Sequence, residues 1–457
     1  MAVPLIRPSP PPLSQAAARL REIEDSGVFS NFGPVNTRLE HDMVARLFAG
    51  EGACVAVCNA TIGLMLAVQQ AIGARPALRQ TPGASAKPRY ALMPSFTFAA
   101  AAQAALWCGL TPLFCDIDPT TWTACAADEE RLLARHGNDI AVVMPYATFG
   151  YDLDLSRYAE LTRRCGVPVV VDAAASLGTA SADGRGFGTG FAGSVVFSMH
   201  ATKSFATGEG GIVYSADPDA VSQLRQMCNF GFAAKPAANS AANAKGVSAT
   251  SRFGEPTGDL RGQPAGSAAP QPRTATMPGL NGKLSEVGAL LAHLRLDGYH
   301  EVLSHRAALM RGYRQALPEL TYQPELPGVQ AHQFAPGLLP SALAPFRGEI
   351  TAALAGQGIG SATYFSPHLA QQDYFAEHAA GRALPVTDDV AGRIVSLPLF
   401  DGMTPLHLVE VTTAVRRELA RVAQAVRRRA SRRIGPPALP AAALAQHVPP
   451  DRAPAQT

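Results

Sequence analysis

Charge is scarce in this sequence: Asp, Glu, Lys and Arg make up 16% of its 457 residues and sum to +3. Much of the positive charge falls in one stretch, Arg416 to Arg433, which reads as the solvated face of a late helix. The remainder is nearly balanced, and nothing points to a nucleic-acid partner. Long apolar runs are also missing. No segment of 18 or more uncharged apolar residues occurs, so no membrane span is expected. The start, Met1-Ala2-Val3-Pro4, lacks a basic-then-apolar signal, which suggests a cytoplasmic protein. Cysteine is present seven times, an odd and scattered set with no Cys-x-x-Cys spacing. This argues against a zinc or redox site and for buried, reduced thiols. No Gly-x-Ser-x-Gly elbow and no Gly-x-x-x-x-Gly-Lys loop occur. The glycine-rich run Gly184–Gly190 has the wrong spacing for a dinucleotide, and no strand leads into it.

Hydrophobic residues, by contrast, reach 47%, enough for a large core, and the length suggests two domains and a tail. Between Gly52 and Ser215, short apolar runs alternate with helical stretches. The runs are Cys54–Cys58, Tyr90–Met93, Pro112–Cys115, Ile140–Met144, Val167–Val171, Ser194–Ser198 and Gly211–Tyr214. Fully apolar strands separated by helices predict an α/β fold with a mostly parallel sheet covered on both faces. Ligands of such sheets bind at the carboxyl ends of the strands. Residues 233–278 are rich in Ala, Ser, Gly, Asn and Pro and read as a long mobile loop, with a shorter one over 75–87. Helical spacing over Leu284–Leu317 predicts one long helix leading into a second domain. The expected division is a large domain over 1–282 with an N-terminal arm 1–40, a small domain over 283–433, and a disordered tail over 434–457.

Four strand ends carry candidate chemistry. The run Ser194–Ser198 leads through His200 to Lys203, before Gly208-Glu209-Gly210-Gly211. A lysine desolvated there becomes a nucleophilic amine, although surface charge is the plainer reading. The run Val167–Val171 ends in Asp172, which either caps a helix or pairs a buried cation such as a pyridinium. Asn59-Ala60-Thr61 opens the helix after Cys54–Cys58. The free amides of Ala60 and Thr61 suit a phosphate, with the Thr61 and Ser198 hydroxyls adding donors, unless the helix is simply capped. Pro94-Ser95-Phe96-Thr97-Phe98 offers an aromatic that either stacks on a planar ring or packs the core. An amine, an acid for a ring nitrogen, a phosphate cradle and a stacking ring are together the needs of pyridoxal 5'-phosphate (PLP).

With these residues in place, the chain resembles the DegT/StrS-type sugar aminotransferases of PLP fold type I, over roughly 30 to 420. The motifs are Gly33-Pro34 with Leu39-Glu40, Asn59-Ala60-Thr61, Pro94–Phe98, Asp172-Ala173-Ala174, Ser198-x-His200-x-x-Lys203 with Gly208–Gly211, and Gly279-Leu280-Asn281-Gly282-Lys283. The resemblance implies a seven-stranded sheet in the large domain and a smaller α+β C-terminal domain. It implies that Lys203 is the Schiff-base lysine and proton carrier, and that Asp172 faces the pyridine nitrogen. The phosphate would be held by Thr61, the Ala60 amide and Ser198, and the ring stacked by Phe98. Asn281 would reach the phosphate of a neighbouring subunit, making the active unit a homodimer. Tyr364 and His368 resemble the substrate-side motif, and no metal is implied. Val171 and Ala175 stand where the family usually has Glu and Gln or His. The expected reaction moves an amino group from glutamate or glutamine to a nucleotide-linked keto sugar, with a 4-keto-6-deoxyhexose as first guess. A non-nucleotide ketone such as a cyclitol, or a non-catalytic PLP-binding regulator, are the alternatives.

Overall fold

In a computed structural model, residues 2–73, 89–233, 274–379 and 382–433 are described. The loop expected over 75–87, the tail 434–457 and most of the loop 233–278 lie outside them. Seven strands form the expected sheet: β1 (Ala53–Val57), β2 (Tyr90–Pro94), β3 (Thr111–Cys115), β4 (Ile140–Val143), β5 (Val170–Asp172), β6 (Ser194–Ser198) and β7 (Gly211–Ser215). Two ladders, β1-β7-β6-β5 and β3-β2-β4, are joined where Val143 and Tyr146 bridge Val169 and Asp172 in parallel. The order is therefore β1-β7-β6-β5-β4-β2-β3. All pairs are parallel except those of β7, which runs antiparallel to β1 and β6. Its first residue, Gly211, consequently lies level with the last residues of its neighbours, Val57 and Ser198.

Alternation along a strand sends successive side chains to opposite faces. In β1, Cys54 and Ala56 pack with Val35, Leu39 and Met43 of the helix Pro34–Leu47 and with Leu290 of the helix Glu286–Asp297. Ala53, Val55 and Val57 pack on the other face with Leu64, Ala67 and Val68 of the helix Ala60–Gly73. Both faces are thus covered, which is why the strands read as unbroken apolar runs.

The single long helix expected over Leu284–Leu317 is two helices, Glu286–Asp297 and Tyr299–Ala316, broken at Gly298. Glycine is a poor helix former, and the apolar spacing continues past it without revealing the break. The first of the two, which the sequence pattern gives to the small domain, packs against the helices Leu13–Ser26 and Pro34–Leu47 beside the sheet. Further along, β8 (Ala335–Leu338) and β9 (Ile394–Leu397) pair antiparallel. They enclose a smaller core with Met310, Leu354, Val411 and Val415. The first residues reach this unit too: Val3 bridges Ile359. No described helix is long and apolar enough to cross a membrane, and all seven cysteines are free.

Candidate active site

The carboxyl ends of β5 and β6 bring an acid and an amine together. Asp172, the last residue of β5, is 3% exposed. Its backbone is fixed from the next strand position, with the Asp172 amide donating to the Pro145 carbonyl at 2.9 Å. Its carboxylate accepts from the Ala174 amide at 3.1 Å. Burial raises the acid to about 6, against the pull of that amide and of the Lys203 charge. Lys203 lies on the loop after β6, closed by Met199 N to Gly210 O (2.9 Å) and Ala201 N to Gly208 O (2.8 Å). Gly208 and Gly210 have φ of 116° and 154°, which side-chain-bearing residues rarely adopt. Burial lowers the Lys203 amine to about 8, while the Asp172 charge pulls the other way. An amine so placed keeps a useful neutral fraction near neutral pH and can add to an aldehyde.

At the end of β1, the Asn59 carboxamide accepts from the Ile62 amide at 2.9 Å, so Asn59 caps the helix as its sequence position suggests. The amides of Ala60 and Thr61 stand in the first turn, at the positive end of the helix dipole. A Cβ at Gly211 would lie 3.0 Å from the Ala60 nitrogen and 2.9 Å from the Phe197 carbonyl. Glycine there lets the helix start approach the end of β6, where Ser198 pairs with Gly211. Ala60, Thr61 and Ser198 therefore share one corner of the sheet edge.

Phe98 opens the helix Ala99–Trp107 and stays 58% exposed, an unusual state for a large ring beside a core. Next to it an aromatic wall continues through Phe365, whose ring centroid is 6.5 Å away and which stacks on Phe149 at 5.5 Å. Tyr364 stacks on Phe334 at 5.1 Å. His368 is buried, with Nδ1 2.7 Å from the Ser95 hydroxyl and Nε2 3.0 Å from Asp388. Both its ring nitrogens are thus engaged internally, and the structure does not open it to a ligand. Asn281 is exposed, and its side-chain oxygen accepts from Lys283 at 2.6 Å.

Several residues at the site carry no sequence signal. Gln333, buried, accepts from Lys203 Nζ at 3.1 Å. Beneath the lysine loop, Asp401 holds two buried arginines, Arg295 at 2.6 Å and Arg306 at 2.7 Å. Arg295 also donates to the Ser204 carbonyl. Arg306 donates to the carbonyls of His332 (3.1 Å) and Gln333 (3.4 Å). The one hint in the sequence is that buried charges require partners, and the sequence does not identify them.

The set fits PLP on its chemistry: a nucleophilic amine, helix-start amides with two hydroxyls for a phosphate, and an open ring for stacking. The buried carboxylate of Asp172 would gain from a cationic ring nitrogen, since the opposite charge offsets its desolvation. No group of three or more His, Cys, Asp or Glu side chains that could hold a metal occurs among the described residues.

Comparison with known proteins agrees. The chain is 31% identical over 420 residues to Protein Rv3402c of Mycobacterium tuberculosis, covering 90% of this chain and 89% of that one. It matches a solved structure from Bacillus cereus, assigned to the PLP-dependent aminotransferases, with 32% identity and a TM-score of 0.75, over 91% of this chain and 100% of that one. DesI, solved in the presence of its TDP-sugar product, matches with 26% identity and a TM-score of 0.73, over 94% and 96% of the two chains. The model of the DegT/DnrJ/EryC1/StrS aminotransferase family matches residues 13–416, and the chain belongs to that family of PLP-dependent transaminases.

Proposed function

We propose that this transaminase moves an amino group from glutamate, or glutamine, to a nucleotide-linked keto sugar. The observation that carries the reading is the buried carboxylate of Asp172 with the half-buried Lys203 amine just past the end of the adjacent strand, together with the helix start at Ala60 and the open ring of Phe98. Lys203 would bond the cofactor and carry the proton in the transfer. Asp172 would pair with the ring nitrogen and favour its charged form. The Ala60 amide with Thr61 and Ser198 would hold the phosphate, and Phe98 would stack on the ring. PLP supplies the electron sink that loosens the donor's carbon–hydrogen bond. Asn281, exposed at the edge, reaches the phosphate in a second copy of the chain, so the working unit is a homodimer. Tyr364 contacts substrate, and His368 acts through it by tying the segment to Ser95 and Asp388. The sugar reading is supported by DesI, whose product is a TDP-sugar. A 4-keto-6-deoxyhexose is the acceptor we would try first. The sum of the two half-reactions is glutamate plus ketone giving 2-oxoglutarate plus amine.

The first test is the visible spectrum of the protein with PLP, before and after glutamate, beside Lys203→Ala. We expect a band near that of bound cofactor which bleaches with glutamate in the wild type and is absent or inert in the variant. Adding a TDP-linked 4-keto-6-deoxyhexose then restores the band and releases the amino sugar. A wild type that forms no band with excess PLP removes Lys203 from its role. A band that bleaches but is never restored by any nucleotide-linked keto sugar removes the sugar assignment.

A further inference from the structure

Lys203 has a second partner besides Asp172, and it comes from a distant part of the chain. Gln333 precedes β8, 130 residues along, yet its Oε1 accepts from Lys203 Nζ at 3.1 Å. The other end of the same amide, Nε2, faces the Thr202 carbonyl at 3.4 Å. A carbonyl repels a second carbonyl oxygen, so the Thr202 contact turns the amide nitrogen toward itself and leaves Oε1 toward the lysine. The amide is thereby oriented from both ends.

Its backbone is fixed as well. Arg306 donates to the carbonyls of His332 and Gln333, and its charge is held by Asp401. The same carboxylate holds Arg295, which donates to the Ser204 carbonyl, one residue past the lysine. The lysine loop and the segment bearing Gln333 are thus tied to a single carboxylate. Their separation is set by a buried frame and does not depend on side-chain drift.

From this geometry we infer that Gln333 is a positioning residue for Lys203, holding the ε-amine in the part of the cycle when it is not bonded to the cofactor. This role rests on the assignment of Lys203 as the cofactor-bearing lysine. A neutral amine has two N–H donors and one lone pair. Donating one N–H to Gln333 Oε1 leaves the lone pair directed away from the amide, free to accept a proton. Without that anchor the four-carbon stem would sample other rotamers, and the amine would face the reacting carbon for less of the time. Gln333 itself is uncharged and does not titrate, so it can serve both before and after the proton has moved.

The test uses Gln333→Leu and Gln333→Glu in the full-length protein. In cofactor-free samples, competitive acetylation read by mass spectrometry gives the apparent pKa of Lys203. Loss of an acceptor that favours the ammonium form should lower it about tenfold in proton affinity, and a carboxylate at the same place should raise it. With PLP bound, single-turnover bleaching by glutamate should slow at least about tenfold in Gln333→Leu while the glutamate concentration at half-maximal rate stays near wild type. Gln333→Asn, one methylene shorter, should fall between Leu and wild type, and it takes over the test if the leucine variant does not fold. An unchanged Lys203 pKa together with an unchanged bleaching rate in a folded variant overturns the positioning role. A wild type with no cofactor band overturns the Lys203 assignment instead, so the two failures are told apart in the same samples.

Discussion

Burial acts on both titrating groups at the site, and it acts in opposite directions. It lifts Asp172 to about 6 and brings Lys203 down to about 8. For the acid, the folded value lies above the ordinary 3.8. Between the two values the folded chain holds a proton that the unfolded chain has released, so stability falls as pH rises through that window. Asp172→Asn removes the effect. In cofactor-free protein the variant's advantage over wild type should grow across the window and then level off at a few kcal/mol, because each tenfold change in proton affinity is worth about 1.4 kcal/mol. Thermal melts of both proteins at stepped pH check this, and a difference that does not vary with pH refutes the burial account. Asp172 and Lys203 were legible in the sequence because each closes or follows an apolar run inside a motif. Gln333 was not, because the stretch Gln330-Ala331-His332-Gln333 has no period and its partner is 130 residues away. His368 was legible as a motif position, but its bonds to Ser95 and Asp388 could be seen only in three dimensions.

At the level of elements, the strands were read to within a residue or so at most ends, since burial on both faces leaves a continuous apolar run. β5 is the exception. The run begins at Val167, but Pro168 lacks an amide to donate to the ladder and regular pairing starts only at Val170. The break at Gly298 was missed for the reason that hid it locally, a helical period on both sides. The start of the helix Pro34–Leu47 depends on a residue that no local pattern could supply. Glu286 accepts from the Val35 amide at 2.8 Å and the Asn36 amide at 3.2 Å. The helix start at Ala60 depends instead on the missing side chain of Gly211. Gly211→Ala should lose roughly 1–3 kcal/mol of stability to crowding. It should also weaken PLP binding about tenfold by pushing the Ala60 amide off the cradle. Gly392→Ala, where a Cβ meets nothing within 4 Å, is the control. Melts and PLP titrations of the pair decide it, and equal PLP affinity in both argues against a cradle at Ala60.

For the whole molecule, the alternation of strands and helices gave the α/β class, but a single sequence carries no direct record of a second copy. Complementation tests the homodimer. Lys203→Ala and Asn281→Ala should each be nearly inactive alone. Mixed and allowed to exchange, half the dimers would be hybrids with one intact site, giving roughly a quarter of wild-type activity. No recovery in samples shown to exchange subunits means that Asn281 serves its own chain or neither. The carboxylate of Asp401 has a different kind of reach. Because it answers two buried guanidiniums at once, positions 295, 306 and 401 are not free to drift singly: losing the acid strands two cations, and losing either arginine unbalances the other. Among descendants of this sequence the three should be inherited or replaced as a block. Such joint variation would mark the frame in an alignment even where neither the lysine nor its glutamine had changed.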